Sequence, residues 1–275
     1  MSPMPDGAVD VHAHVMTGPA TGVPGAAYEP FEAPVSDYLG HLDGLGMAAG
    51  VLVTPSAYGT DNSVLVDALA AAPERLRGVA VVDKDHDLAA LDRAGVRAMR
   101  VQDRFAGGAS LAALPDLLRR SASVGDQPWH VEVWSDPRDH LDVLAAGLAT
   151  GRVLLDHLGA IPAPRPGRSD PAIPVLRTLL GTGDCWVTLS GAYRLAPGVP
   201  EPEAAERLTA RVEAVLDLAP DRVVWGSDWP YVAAPGPVPT PEDHRAVLDT
   251  WLPDPDVRRR VLVDNPRRLY GMGGA

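Results

Sequence analysis

Short β-branched runs recur along the whole chain, and helical spacing fills most of the gaps between them. This alternation limits the fold more than any other feature. The runs are Ala8–Val15, Gly50–Thr54, Gly78–Asp83, Gly95–Val101, Trp129–Trp134, Arg152–His157, Trp186–Ser190 and Arg222–Gly226. Helical spacing appears at Tyr38–Leu45, Ser63–Ala71, Leu111–Ala122, Leu141–Ala149, Ile173–Leu180 and Ala204–Leu218. Strands alternating with helices make a parallel sheet, and eight such units close into a (β/α)8 TIM barrel of the α/β class. Such barrels take roughly 250 residues, so the 275 residues here are expected to form one domain, 1–275. An open doubly wound sheet is the competing fold, but no run is followed by a Gly-x-Gly-x-x-Gly loop.

Three Pro- and Gly-rich segments, Thr17–Pro34, Ala160–Pro171 and Tyr231–Pro241, follow strand ends, on the face where barrels carry their active sites. Segments of this length are expected to cover or shape a pocket. The net charge of −12 makes nucleic acid and anionic membranes poor partners. The first ten residues have no basic and apolar leader, and no apolar run reaches the ~18 residues of a membrane span. Cys185 is the single cysteine, so no intrachain disulfide can form and a cytoplasmic location is expected. Lys84 is the single lysine, which restricts Schiff-base and carboxylated-lysine chemistry to one position.

Asp10-Val-His12-Ala-His14 is the sharpest chemical signal. Alternate residues of a strand share a face, so Asp10, His12 and His14 are expected to point together into the barrel mouth. Paired imidazoles suit metal binding or proton transfer. His157 ends the sixth run in LLDHLG, and Asp228 follows the eighth in WGSDWP. The carboxyl ends of the strands share one rim, and the first and eighth strands become neighbours on closure. The four groups should therefore meet around one water or metal ion.

With these motifs in hand, the chain resembles the amidohydrolase-related barrel enzymes, through VDVHAHV, LLDHLG, WGSDWP and the closing DNPRRLYG. It is most similar to their 2-pyrone-4,6-dicarboxylate lactonase-like branch, whose pattern VTPSAYGTDN and VTLSGAYRL also fit, so the likeness spans nearly the whole chain. The resemblance implies a hydrolase opening a lactone or amide-like bond. Asp228 would be the general base acting on water, and His12, His14 and His157 would polarise the carbonyl or hold a metal. Related barrels perform non-oxidative decarboxylation, so a metal-dependent decarboxylase or biosynthetic amidohydrolase acting on a small unsaturated or aromatic acid is the alternative.

The segment after the fourth strand reads MRVQD, without the lysine that would bridge two metals, and His130 lies at the start of its strand. A binuclear centre is therefore not expected. His12, His14, His157 and Asp228 are suitable donors for a single divalent ion such as Zn²⁺, but the lactonase resemblance implies no obligatory metal.

Arg100, Arg104 and Arg194 lie near strand ends and stand where the resemblance places carboxylate-binding arginines. Guanidinium forks suit a small anionic substrate, although pairing with a local acid such as Asp103 would use one up. Tyr28, Ser56, Tyr58, Trp134 and Tyr193 are further pocket candidates. Trp134 stands where related lactonases carry Tyr. It is bulkier and cannot accept a hydrogen bond, so the substrate is expected to depart from the dicarboxylate prototype. His41, His86, His140 and His244 read as solvated, and Asp264-Asn265-Pro266 as a turn. Trp129, Trp186, Trp225 and Trp251 read as packing residues. Glu203 and Glu206 read as the acidic start of a helix. A homodimer is only a generic expectation.

Overall fold

The computed structural model describes residues 2–18, 22–105, 109–125 and 128–272. Eight strands run β1 Val9–Ala13, β2 Ala49–Val53, β3 Leu76–Ala80, β4 Val96–Gln102, β5 His130–Trp134, β6 Val153–Leu155, β7 Cys185–Leu189 and β8 Val223–Trp225. Each pairs in parallel with the next in sequence. The barrel closes beyond the formal ladder, where Ala13 bridges Trp229 in parallel. At this seam Asp228 N–H donates to His12 O at 2.8 Å, and His14 N–H donates to Trp229 O at 2.7 Å. This is the expected (β/α)8 barrel.

Pleating sorts the strand residues into two layers. Ala13, Leu52, Met99, Val131, Val133, Val153, Leu155, Val187 and Trp225 join the helix-facing core. Val9, Val11, Val51, Val53, Val79, Ala98, Leu154, Trp186 and Val224 fill a second apolar cluster inside the barrel. Burial of one such aliphatic side chain contributes about 1.5–3 kcal/mol. The C-terminal turn Asn265–Tyr270 packs Leu269 and Tyr270 against the inner cluster. Asn265 donates to the carbonyls of Pro220 and Val223, fixing this turn to the start of β8. The expected turn at Asp264-Asn265-Pro266 is in fact helix, continuous with a π-helical turn over Arg260–Asp264. Pro266 stands directly after the π-helical turn, where the regular i to i−4 ladder is already interrupted.

The outer layer holds the expected helices and others that helical spacing had not marked, among them Leu88–Arg93 and Pro241–Trp251. The latter begins with a reciprocal capping box between Thr240 and Asp243. In the first long loop, Met16–Thr17 pairs antiparallel with Glu32–Ala33, and residues 19–21 lie outside the described set.

Two expectations about polar residues are overturned by packing. His244 is buried on its helix and its Nε2 meets the Tyr231 hydroxyl at 2.8 Å, while His41 is half-buried beside it. His86 and His140 are half-buried and held by Asp83 and Asp103. The four tryptophans pack in the core as expected, and Glu203 pairs with Arg207 in the first turns of Glu201–Leu218.

Candidate active site

His12, His14, His157 and Asp228 do converge, all buried, at the carboxyl end of the barrel. Asp10 does not join them. Between Asp10 and Ala13 the β1–β2 register slips, so Val11 and His12 together face Val51. Plain alternation with the inward Val9 and Val11 puts Asp10 toward the helix layer, where Tyr38 lies against it, and the bulge that follows returns His12 to the interior. The Asp10 carboxylate accepts from Ser227 N–H at 2.8 Å, Ser227 Oγ at 2.6 Å and His12 N–H at 3.2 Å. It therefore joins β1 to the segment after β8. Gly226 serves the same seam, since a Cβ there would sit 2.8 Å from His12 N.

His157 and Asp228 have left-handed backbones, at φ 50° and 63°. Regular alternation would turn His157 outward, since Leu154 faces inward two places before Asp156. The left-handed turn redirects it to the mouth, at the cost of local strain. Its Nδ1 meets Ser190 Oγ at 2.8 Å, and its ring centroid lies 4.8 Å from that of His12.

The donors sort the roles of the imidazoles. His14 Nδ1 lies 2.8 Å from Val53 O, and a carbonyl can only accept, so Nδ1 carries the proton and Nε2 is a lone pair. That Nε2 lies 3.8 Å from Asp228 Oδ1. Burial, with His12 and Arg100 nearby, holds His14 well below the usual imidazole range. Burial likewise pushes His157 down to about 3, against the opposing carboxylate of Asp228. For His12 burial is outweighed by Asp156, whose Oδ1 lies 3.5 Å from Nδ1, and its pKa rises.

Asp228 is held from one side. Its Oδ2 accepts from Tyr193 Oη at 2.7 Å and from Arg194 Nε at 2.5 Å. Burial opposes its charge, but Arg194, His157 and His12 together keep the carboxyl well below the usual range. Oδ1 has no partner among the described residues and faces His12 Nε2 at 3.9 Å. The turn carrying Tyr193 and Arg194 is itself tied down by Glu201, which accepts from Tyr193 N–H at 2.7 Å.

The remaining expected residues divide. Arg194 spends Nε on Asp228 and Nη2 on Val232 O at 2.9 Å, so it is first a holder of the carboxylate, not a free anion fork. Arg100 is buried with Nη2 3.5 Å from Asp156. Arg104 lies exposed on the rim of a cavity of about 540 Å³, which Trp134, His157 and Arg194 also line. Tyr28 is half-buried next to Ser56. Tyr58 is spent on structure, its hydroxyl accepting from Thr17 N–H at 3.0 Å.

Asp156 and Glu132, which the sequence reading passed over, lie deeper in the same shaft. Glu132 accepts from Tyr270 Oη at 2.7 Å, and burial with Asp156 nearby raises its pKa to about 8. Asp156 is lowered despite burial, by His12 and Arg100. The signal for Asp156 was its place before His157 in LLDHLG, and for Glu132 a lone acid within HVEVW.

These shifts set a pH optimum for stability. His130, His157 and His244, at about 3, are denied protons that the unfolded chain takes up below about 6.5, so stability rises with pH toward that value. Glu132 at about 8 and Glu201 at about 7 keep protons that an unfolded glutamate releases above 4.5, so they remove stability as pH rises. Above pH 6.5 the glutamates dominate, at roughly 1 kcal/mol per pH unit for each. Melting temperature is expected to peak between about pH 6 and 7, and Glu132→Gln to flatten the alkaline side. A melting temperature climbing steadily to pH 8.5 would contradict this.

A sequence profile described as amidohydrolase matches residues 9–272. The chain belongs to the amidohydrolase family. This amidohydrolase is 32% identical to a 4-sulfomuconolactone hydrolase of Rhizobium radiobacter, over 98% of this chain and 91% of that one. It is 30% identical to a 2-pyrone-4,6-dicarboxylate hydrolase of Comamonas testosteroni, over 97% and 91%. A solved structure from Acinetobacter baumannii, assigned as a 2-pyrone-4,6-dicarboxylic acid hydrolase and holding citric acid, superposes with a TM-score of 0.83 at 28% identity, covering 96% of this chain and 99% of that one.

Proposed function

We propose that the chain opens a small lactone or cyclic ester bearing carboxylate. The observation that carries the reading is the unpartnered Asp228 Oδ1 set 3.8 Å from His14 Nε2, which is left an acceptor because Nδ1 donates to Val53 O. A water placed there donates one proton to each and turns its oxygen lone pair toward a carbonyl above. His12, raised by Asp156, is the N–H donor suited to the oxygen that gains charge as water adds, and His157 stands beside it. The expected sharing of carbonyl polarisation by all three imidazoles thus narrows: His14 suits water, His12 the oxyanion. Attack forms the C–O bond, the ring C–O bond breaks, and the ring oxygen leaves with a proton as a hydroxy acid. The lactone hydrolases among the relatives support this choice of bond.

Ligand atoms of His12, His157 and Asp228 lie within 4.8 Å of one another, so these residues fit a single divalent ion, with His14 adjoining. Such an ion would polarise the carbonyl and acidify water. Here, however, Arg194 and Tyr193 already neutralise and orient Asp228. Turnover of a carboxylated lactone, followed by pH-stat, is therefore expected to stay within about twofold after exhaustive chelation. A loss above tenfold, restored by Zn²⁺, would favour the metal-dependent reading, including decarboxylation.

A further inference from the structure

The single helical turn Ala192–Leu195 carries both groups that hold Asp228, yet it cannot cap itself. The opening N–H groups of such a turn have no partner within it. A side chain at the preceding position would supply an acceptor, but Gly191 stands there. Its backbone is left-handed at φ 62°, and a Cβ on it would lie 2.8 Å from His157 Nδ1. The acceptor comes instead from Glu201, the first residue of the long helix Glu201–Leu218. Its Oε2 takes the Tyr193 N–H at 2.7 Å, and the Ala192 N–H is directed at the same carboxyl. Glu201 is only 5% exposed, and its charge faces Asp228 after β8 and Asp243 on the helix Pro241–Trp251. Tyr193 and Tyr231 are the other titratable groups that it faces. A buried acid among other acids is a costly cap for one short turn.

We infer that Glu201 is a positioning residue of the hydrolytic site, whose ionised carboxylate fixes the turn that aims Tyr193 and Arg194 at Asp228. Two contacts of 2.7 Å make the link, Glu201 Oε2 to Tyr193 N–H and Tyr193 Oη to Asp228 Oδ2. A carboxylate can accept from both N–H groups of the turn, and it binds them more strongly than a neutral acceptor. Protonation leaves one carbonyl oxygen and sets a hydroxyl donor against the second N–H. The turn then loosens, and Tyr193 Oη and Arg194 Nε lose their alignment on Oδ2. Misplacement of about 1 Å in such a support can cost roughly a hundredfold in rate. Burial, with Asp228 and Asp243 nearby, pushes Glu201 up to about 7, so both forms are populated near neutral pH. The ionised form is the less stable of the two and the better positioned.

The kinetic part of the test rests on the lactonase reading, whereas the setting of Tyr193 is read without turnover. Wild-type kcat on a carboxylated lactone is expected to rise about tenfold as pH climbs through about 7, with KM within about twofold. Glu201→Gln has the shape of the protonated side chain that the wild type carries at lower pH, so it is expected to fold. It should lack this rise and run about tenfold below wild type at about pH 8.5. A merely structural role would change the amount of folded protein and leave the shape of the pH profile as it was. In protein labelled with carbon-13 at tyrosine Cζ, the Tyr193 signal is assigned by Tyr193→Phe. That signal is expected to shift with the same midpoint in wild type and to stay fixed in Glu201→Gln. A rise that persists in Glu201→Gln, or a Tyr193 signal indifferent to both pH and the substitution, would overturn the inference. A wild type that opens no lactone, with a Tyr193 signal still following Glu201, would instead overturn the lactonase reading and leave the positioning role standing.

Discussion

Asp228→Asn is expected to lower turnover by about 10³- to 10⁴-fold while the fold is retained. The size of the effect follows from the side from which Asp228 is held. Tyr193 Oη and Arg194 Nε both donate to Oδ2, so an asparagine can satisfy them only by turning its carbonyl oxygen that way. Its amide NH2 then points at the place where Oδ1 faces His12 and His14. A donor stands where the attacking water needs an acceptor, and the lone pair of His14 Nε2 becomes occupied as well. Near-ultraviolet circular dichroism matching the wild type, with kcat reduced by at least a thousandfold, is the expected result. Turnover within tenfold of wild type would remove Asp228 from the reaction and with it the water-placing geometry.

The barrel was legible because its signal is repeated. Trp129–Trp134 as a sequence run and His130–Trp134 as a strand differ by one residue, and the other runs overlap their strands with ends displaced by one to three residues, most at Gly78–Asp83 against Leu76–Ala80. The helix Leu88–Arg93 escaped notice because six residues carry too little periodicity, and Pro241–Trp251 because its polar face dominates. At the site, His12, His14, His157 and Asp228 could be named from motifs, but their neighbours could not. Asp156 and His157 are adjacent in sequence, and alternation allows only one of them to face inward. A left-handed residue brings in both, and such a φ is not visible in the letters DHLG. On β1 the bulge brings in His12 after Val11 and leaves Asp10 facing the helix layer. Arginine type and strand-end position pointed to anion binding, yet whether a guanidinium meets substrate or a neighbouring carboxylate depends on contacts between β4 and β6, or between the turns after β7 and β8. Arg100 and Arg194 both met carboxylates of the chain itself.

The seam that Asp10 builds carries the second large effect. Asp10 is fully buried and accepts three hydrogen bonds, so Asp10→Ala leaves Ser227 N–H, Ser227 Oγ–H and His12 N–H without their acceptor. An unsatisfied buried donor costs about 1–3 kcal/mol, and the three together are expected to remove about 3 kcal/mol or more. In a chain of this size that lowers the melting temperature by roughly 10 °C. Burial raises the pKa of Asp10, showing that its charge is itself costly there, so Asp10→Asn, which keeps an acceptor oxygen without the charge, should be the milder change. Activity is expected to follow stability, because Ser227 adjoins Asp228 and His12 lies on the same strand, and the Asp10→Asn variant should keep turnover within tenfold once folded. Melting curves and turnover measured on both variants separate the roles. An Asp10→Asn protein with an unchanged melting temperature and a thousandfold loss of turnover would return Asp10 to the reacting groups.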